Sequence, residues 1–297
     1  MNYGKPALSF EQQADQLLQR GLQADRRSLI EALSRVSYYR LSAYWHPFKR
    51  PDDSFQPGTS FDRIWRRYTF DRQLRLLLMD ALERVEVAVL RTLMVEQHAR
   101  RYGPFGYRQA ASFRPEYVGP DHHRLVAEID EATKRSRELF VAHFLAKYTS
   151  EPGLPLWMAA EVASFGTLFT FYRYLNLTEQ KQLSNQLGLP ANVLHTWLFC
   201  LNYIRNLCAH HSRLWNRELA IRPLIPARKN APDWHTPTTP DNRRVFAVLT
   251  LLRWLLQRIA SRSQWPDRVR GLLRQYPDIP LLLAGFPAGW ETSPIWK

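Results

Sequence analysis

An all-α fold follows from three features of the 297-residue sequence. Apolar residues recur at helical spacing over most of the chain, convincing period-2 alternation is absent, and start and stop residues punctuate the helical segments. Hydrophobic residues make up 45% of the chain and aromatics 13%, enough for a packed core.

Ser9-Phe10-Glu11-Gln12 reads as a capping box opening a helix to Arg20, with Gly21 as its stop. A second helix covers 26–44 and ends near Pro47, and the turn-rich stretch 50–60 leads into a long helix, 61–101, with room for an internal break. Tyr102-Gly103-Pro104 closes it, and 104–122 reads as loop. Helices follow at 122–148, 156–175, 178–187 (capped by Thr178) and 190–217, where Pro190 suits a first turn. Five prolines make 222–242 irregular, helices at 241–262 and 265–275 come next, and the Pro- and Trp-rich tail 277–297 is expected to pack on the body. The layout divides into an N-terminal helical element (1–60), a larger helical domain (61–262) and a C-terminal helix with tail (263–297).

Lys and Arg number 41 against 27 Asp and Glu, a formal charge of +14. That excess points to a polyanion, nucleic acid first and an anionic membrane surface second. Two cysteines, Cys200 and Cys208, exclude a disulfide framework and a Cys-based zinc site, so a reducing, cytoplasmic setting is expected. Met1 to Phe10 lacks a signal-peptide pattern, and the most apolar run, Val245 to Ala260, is interrupted by Thr250, Arg253, Gln257 and Arg258, so no membrane partner is expected. The dinucleotide, P-loop, zinc-protease and serine-hydrolase signatures are missing. No cofactor or metal is expected. A DNA-binding regulator would want a helix-turn-helix reading head, which is not found.

The informative segment runs from Leu201 to Arg217. On a continuous helix, Asn202, Arg213, Asn206, Arg217 and His210 share a sector of roughly 80°, bordered by Ala209, Asn216 and Arg205. The opposite side holds Leu201, Tyr203, Ile204, Leu207, Cys208, Leu214 and Trp215, a core face, and His211 falls in its middle. His210 is therefore the functional candidate, with His211 read as a core histidine. Arg205 and His210 form an R-x4-H spacing, with Asn206 beside the arginine. This trio suits RNA cleavage: imidazole exchanges a proton near neutrality, guanidinium grips a phosphodiester, and RNA supplies its own 2′-OH nucleophile. Asn206 can orient the ring or bind a phosphate oxygen. A merely solvated polar face is the plain alternative.

The string Asn202 to Arg217 resembles the signature of the Abi-like (AbiD/AbiF type) abortive-infection proteins of the HEPN superfamily. Further similar blocks occur in order: Lys5–Ser9, Tyr38–Trp45, Phe70–Arg75, Leu82–Glu86, Tyr102–Tyr107, Ser164–Leu168 and Gly285–Trp290. The resemblance implies a HEPN-like helical bundle with an added N-terminal helical element and a C-terminal tail packed on the body. It also implies a metal-independent endoribonuclease in phage defence, working as a homodimer or higher oligomer. Carried onto this chain, the catalytic pair is Arg205 and His210, with Asn206 after the arginine. Asn202, Arg213 and His211 are candidate supporting or phosphate-binding residues. Some members of the superfamily bind without cutting, so a non-catalytic protein holding a structured small RNA is the alternative.

Glu83 shares a wheel stripe with Leu76, Met79, Val87, Leu90 and Met94, so Glu83 and Glu86 are expected to meet a cation, with Arg205's helix as one candidate source. Arg91 and His98 form a second, R-x6-H spacing. His122, His123 and His143 read as surface residues. Tyr38, Tyr39, Tyr44, Trp45 and Phe48 read as core aromatics rimmed by arginines, with base stacking as the other reading. Arg63, Arg66, Arg67, Arg72 and Arg75 form a basic helix face suited to an RNA backbone.

Overall fold

The computed structural model describes Gly4 and residues 6–297; Lys5 and the Met1–Tyr3 part of the N-terminal segment lie outside the described residues. Among the described residues every regular element is helical, and extended pairing is limited to isolated bridges. The all-α expectation holds. No helix of the described residues is long and apolar enough to cross a membrane. The chain forms two compact units, residues 1–75 with 269–279, and 76–268 with 280–297.

The first unit contains α1 (Phe10–Gln19), α2 (Arg26–Val36), α3 (Tyr38–Trp45) and the opening of α4 (Phe61–Val85). The Ser9/Gln12 capping box is present with both reciprocal bonds. The single helix expected over 26–44 is broken at Ser37, which takes φ 70° and caps both neighbours. Its hydroxyl accepts from the Arg40 backbone, so a local cap outcompetes the continuous apolar pattern. Leu17, Leu29, Leu33, Leu41, Tyr44, Trp45 and Ile64 form the core. The core reading of Tyr44, Trp45 and Phe48 holds, while Tyr39 stays exposed. A buried polar chain crosses this unit: the Tyr44 hydroxyl donates to Asp71 at 2.6 Å and Arg75 pairs with Asp71 at 2.5 Å. Burial and the adjacent Asp71 carboxylate push the Tyr44 phenol up.

The basic face expected on α4 is only partly a surface. Arg67 and Arg75 are buried, Arg67 lying over the Phe48 ring, and Arg66 pairs with Asp278 at 2.5 Å. Arg63 and Arg72 remain exposed. The reason is local: Asp71 and Phe48 give those inner arginines partners that a wheel of α4 alone does not show.

The second unit is built around α12 (Val245–Ile259), apolar nearly all round and therefore central. The tail packs here as expected: Trp290 and Trp296 are buried and the Trp296 indole donates to Thr250 at 3.1 Å. The rod begun by α4 continues through a π-helical stretch, Glu86–Met94, into α5 (Val95–Tyr102), stopped by Gly103 at φ 80°. Next come α6 (Pro120–Arg135), α7 (Leu139–Lys147), α8 (Leu156–Val162), α9 (Phe165–Tyr174), α10 (Leu177–Gln186) and α11 (Ala191–Ala209). The helices expected over 122–148 and 156–175 are thus each divided, the second by Ser164, whose side chain caps α9. Asn176, not Thr178, caps α10. Pro190 is the residue before the first turn of α11. Helix α13 (Trp265–Gln275) lies where expected.

Candidate functional site

Helix α11 carries the motif, and its inner face explains its position. Val193, Leu194, Trp197, Leu198, Leu201 and Ile204 are buried. Neighbouring chain ties the helix down: the Trp197 indole donates to the Leu224 carbonyl at 2.8 Å, and the Cys200 thiol donates to Ile221 at 3.3 Å. Burial pushes the Cys200 thiol up to about 12.

The helix ends at Ala209, not Arg217. His210 is the C-cap, and its backbone N–H still donates to Asn206 at 3.0 Å. His211 takes the left-handed conformation, φ 55°. Its N–H donates to Cys208 at 3.0 Å and that of Ser212 to Leu207 at 2.8 Å. This is the Schellman arrangement, which satisfies the orphan carbonyls of the last turn and is usually completed by glycine. The chain turns again at Asn216, φ 53°, and between the two left-handed residues Leu214 and Trp215 are fully buried.

This corrects the reading of His211. With no helix beyond Ala209, the wheel does not apply to it, and both His210 and His211 are exposed. The side chains left together at the end of α11 are Asn202 and Arg205, half-buried, and Asn206 and His210, exposed. Arg205 donates to the Asn206 amide oxygen at 3.2 Å. Arg213 follows the turn, and its carbonyl accepts from Arg217 at 2.6 Å.

Asn202 meets a second sequence block. A methyl group placed on Gly166 would stand 3.8 Å from the Asn202 amide oxygen and 3.7 Å from the Ser164 hydroxyl. The Ser164–Leu168 block and the α11 motif, 36 residues apart between Gly166 and Asn202, thus share one corner. Ser164 and Thr167 also line a cleft of about 500 Å³ with Arg124, Glu128 and Arg135, and Thr167 donates to Glu128 at 3.4 Å.

The two carboxylates do not meet Arg205. Glu83 is exposed, and so are Leu76 and Val87 of its stripe. Glu86 pairs with Arg91, whose guanidinium also donates to the carbonyls of Ala160 and Ala163. Residues five apart stand roughly 140° apart on an α-helix, but an i→i+5 turn brings them together, so the π-helical stretch creates this pair. Arg91 thereby caps α8 immediately before Ser164 and ties Glu86 to the end of that helix.

His98, the partner in the second spacing, is a core residue. It is fully buried, with Nδ1 3.0 Å from the equally buried Glu179 carboxylate and its ring stacked on Phe113. His122, expected at the surface, is also buried, its Nε2 2.9 Å from the Tyr107 carbonyl, whereas His123 and His143 are exposed as expected.

Sequence reasoning passed over one stretch of this surface. Upstream on α11, Phe199 is 43% exposed although its ring lies parallel to buried Phe169, 5.5 Å away and 8° apart. His195 touches the same Phe169 ring, 5.6 Å away. Extending the motif's helical wheel upstream of Leu201 would have placed both residues on its face.

No curated protein and no solved structure matches the chain. The profile of the Abi-like protein family matches residues 31–216, a span that includes the whole Arg205–His210 motif and the Ser164–Leu168 block that meets Asn202, and the chain belongs to that family.

Proposed function

We propose that this chain is a HEPN-type endoribonuclease acting in bacterial abortive infection, needing no metal because RNA supplies the nucleophile. One observation carries the reading: Arg205 and Asn206 lie at the C-terminal end of α11 and His210 caps it, with the arginine bonded to Asn206 and the histidine backbone fixed in a Schellman turn. The family supports the setting in phage defence.

In this reading Arg205 grips the scissile phosphate and offsets charge that builds on its oxygens. The 2′-oxygen attacks phosphorus and loses its proton to a base, while the 5′-oxygen leaves and takes a proton from an acid. The products are a 2′,3′-cyclic phosphate and a 5′-OH. His210 serves one of these transfers. The other requires a second group, which a second copy of the chain would supply. Asn206 holds the guanidinium, and Asn202, Arg213 and His211 frame the phosphate.

The test is cleavage of total RNA in the presence of chelator, comparing wild type with Arg205→Ala and His210→Ala. Wild type is expected to yield cyclic-phosphate ends, with losses of about 10²–10⁴-fold in His210→Ala and about 10²–10³-fold in Arg205→Ala. Salt-dependent RNA binding with no cleavage by any of the three would replace the nuclease with a non-catalytic RNA-binding protein.

A further inference from the structure

Helices α9 and α11 together present a face with an unusual charge balance. Neither contains an aspartate or glutamate, while α9 carries Arg173 and α11 carries Arg205. On α11, Phe199 precedes Asn206 by seven residues, which is two turns on the same side and about 10 Å along the axis. His195 lies one turn before Phe199 on that side.

The Phe199 ring leaves 43% of the residue open to solvent. It is held flat by the parallel ring of buried Phe169, which leaves its other face open. His195 sits against Phe169 and Tyr172. Burial holds the His195 imidazole below its ordinary range, and the positive charges of Arg173 and Arg114 lower it further. Arg173 itself lies over the Tyr174 ring at 5.2 Å, and Arg114 over Tyr117 at 5.2 Å. Flat aromatic rings, two arginines near enough for their charges to reach His195 and no carboxylate on either helix make a surface complementary to an unpaired base flanked by phosphates. A protein segment would find no acidic residue on α9 or α11 to pair with its basic side chains, and a duplex would keep its bases out of reach.

We propose that Phe199, backed by Phe169 and flanked by His195, is a stacking subsite for an unpaired base of single-stranded RNA a few nucleotides from the phosphate held at Arg205 and His210. This rests on the RNA-cleaving reading above and adds to it the class of RNA, single-stranded, and the residue that selects it. The subsite lies on the same rigid helix as Asn206, so it sets a fixed span between the stacked base and the bond to be cut.

The test measures binding of a labelled single-stranded RNA oligonucleotide of mixed sequence by full-length protein, in a His210→Ala background so that the probe is not cut. Phe199→Ala is expected to weaken binding by about 5- to 150-fold, the range for loss of one base stack at ~1–3 kcal/mol. The dependence of affinity on salt should keep its slope, because no phosphate contact is removed. Phe199→Trp should restore binding, which separates stacking from a general disturbance of α11. Binding of double-stranded RNA should not change. Three results overturn the subsite alone: Phe199→Ala binding within twofold of its parent, Phe199→Trp failing as badly as Phe199→Ala, or the duplex losing as much as the single strand. Sedimentation showing that Phe199→Ala dissociates a wild-type dimer, with RNA affinity intact, would assign the face to a second copy and also overturn it. Wild type that neither binds nor cuts RNA would overturn the parent reading, and the subsite with it.

Discussion

Replacing Arg91 with alanine should destabilise the second unit by about 3 kcal/mol, and the reason is visible in its three partners. The guanidinium donates to the Ala160 carbonyl, to the Ala163 carbonyl at 3.0 Å and to the Glu86 carboxylate. The first two belong to the end of α8, a helix of seven residues whose final carbonyls have no intrahelical donor. A helix so short does not hold itself and depends on such outside bonds. A hydrogen bond to a charged group contributes ~1.5–3 kcal/mol net, so two carbonyl bonds lost together cost about 3–6 kcal/mol. The side chains of Arg91 and Glu86 are 14% and 15% exposed, so water recovers part of that loss and the freed carboxylate turns outward, leaving about 2–4 kcal/mol. Arg91→Lys keeps one donor without the fork and should lose about half as much. Glu86→Gln leaves both carbonyl bonds and should cost only about 1 kcal/mol. Urea unfolding measures all three, and amide exchange at Ser164–Leu168 should speed up in Arg91→Ala before any other helix responds. An Arg91→Ala loss under about 1 kcal/mol would refute the capping argument, and Glu86→Gln costing as much as Arg91→Ala would refute the division of roles.

His211 stands in a left-handed position that costs a side chain ~1–2 kcal/mol relative to glycine, so His211→Gly should raise stability by about 1 kcal/mol in urea unfolding. If His211 frames the phosphate, the same variant should cut RNA more slowly; a variant both more stable and fully active would reduce His211 to a poor cap. His195 titrates below the ordinary histidine range because of burial and then Arg173 and Arg114. The unfolded chain therefore binds this proton more tightly than the folded one. Stability from this group is undiminished above the unfolded value near ~6.5 and declines as the pH falls through it toward the folded value. An NMR titration of His195 should show the low value, and Arg173→Gln should move it upward; no movement would remove the charge part of the cause.

The helical class, the Ser9 cap, the Gly103 stop and the packed tryptophan tail could be read from the sequence because each is written in local residues. The breaks at Ser37 and Ser164 could not, since both serines sit inside runs whose apolar period continues on either side. A serine in such a place is equally compatible with a helix interior, and only the surrounding packing decides. The π-helical stretch was invisible for a related reason. A 3.6-residue wheel assigns Glu86 and Arg91 to different faces, and the one change of register that joins them also removes the expected link from Glu86 to Arg205. Around the motif, the helix up to Ala209 was readable and the two histidine environments beyond it were not. Left-handed helix ends are recognised by glycine, and here histidine occupies that place.

On the proposed nuclease reading, the end of α11 resolves two demands that a mid-helix histidine would leave in conflict. A group that takes and returns protons needs an open ring, yet its anchor must not wander. His210 meets both: its ring is exposed, while its backbone is bonded to Asn206 on one side and followed by the two Schellman bonds and the buried Leu214–Trp215 pair on the other. Asn206 joins the two halves of the motif, since its carbonyl accepts from the His210 backbone and its amide oxygen accepts from Arg205. The carbonyl belongs to the main chain and survives any substitution, so Asn206 fixes the histidine by position and the arginine by chemistry. On that reading an amide between the arginine and the histidine offers the guanidinium an acceptor without adding the negative charge that would compete with a phosphate.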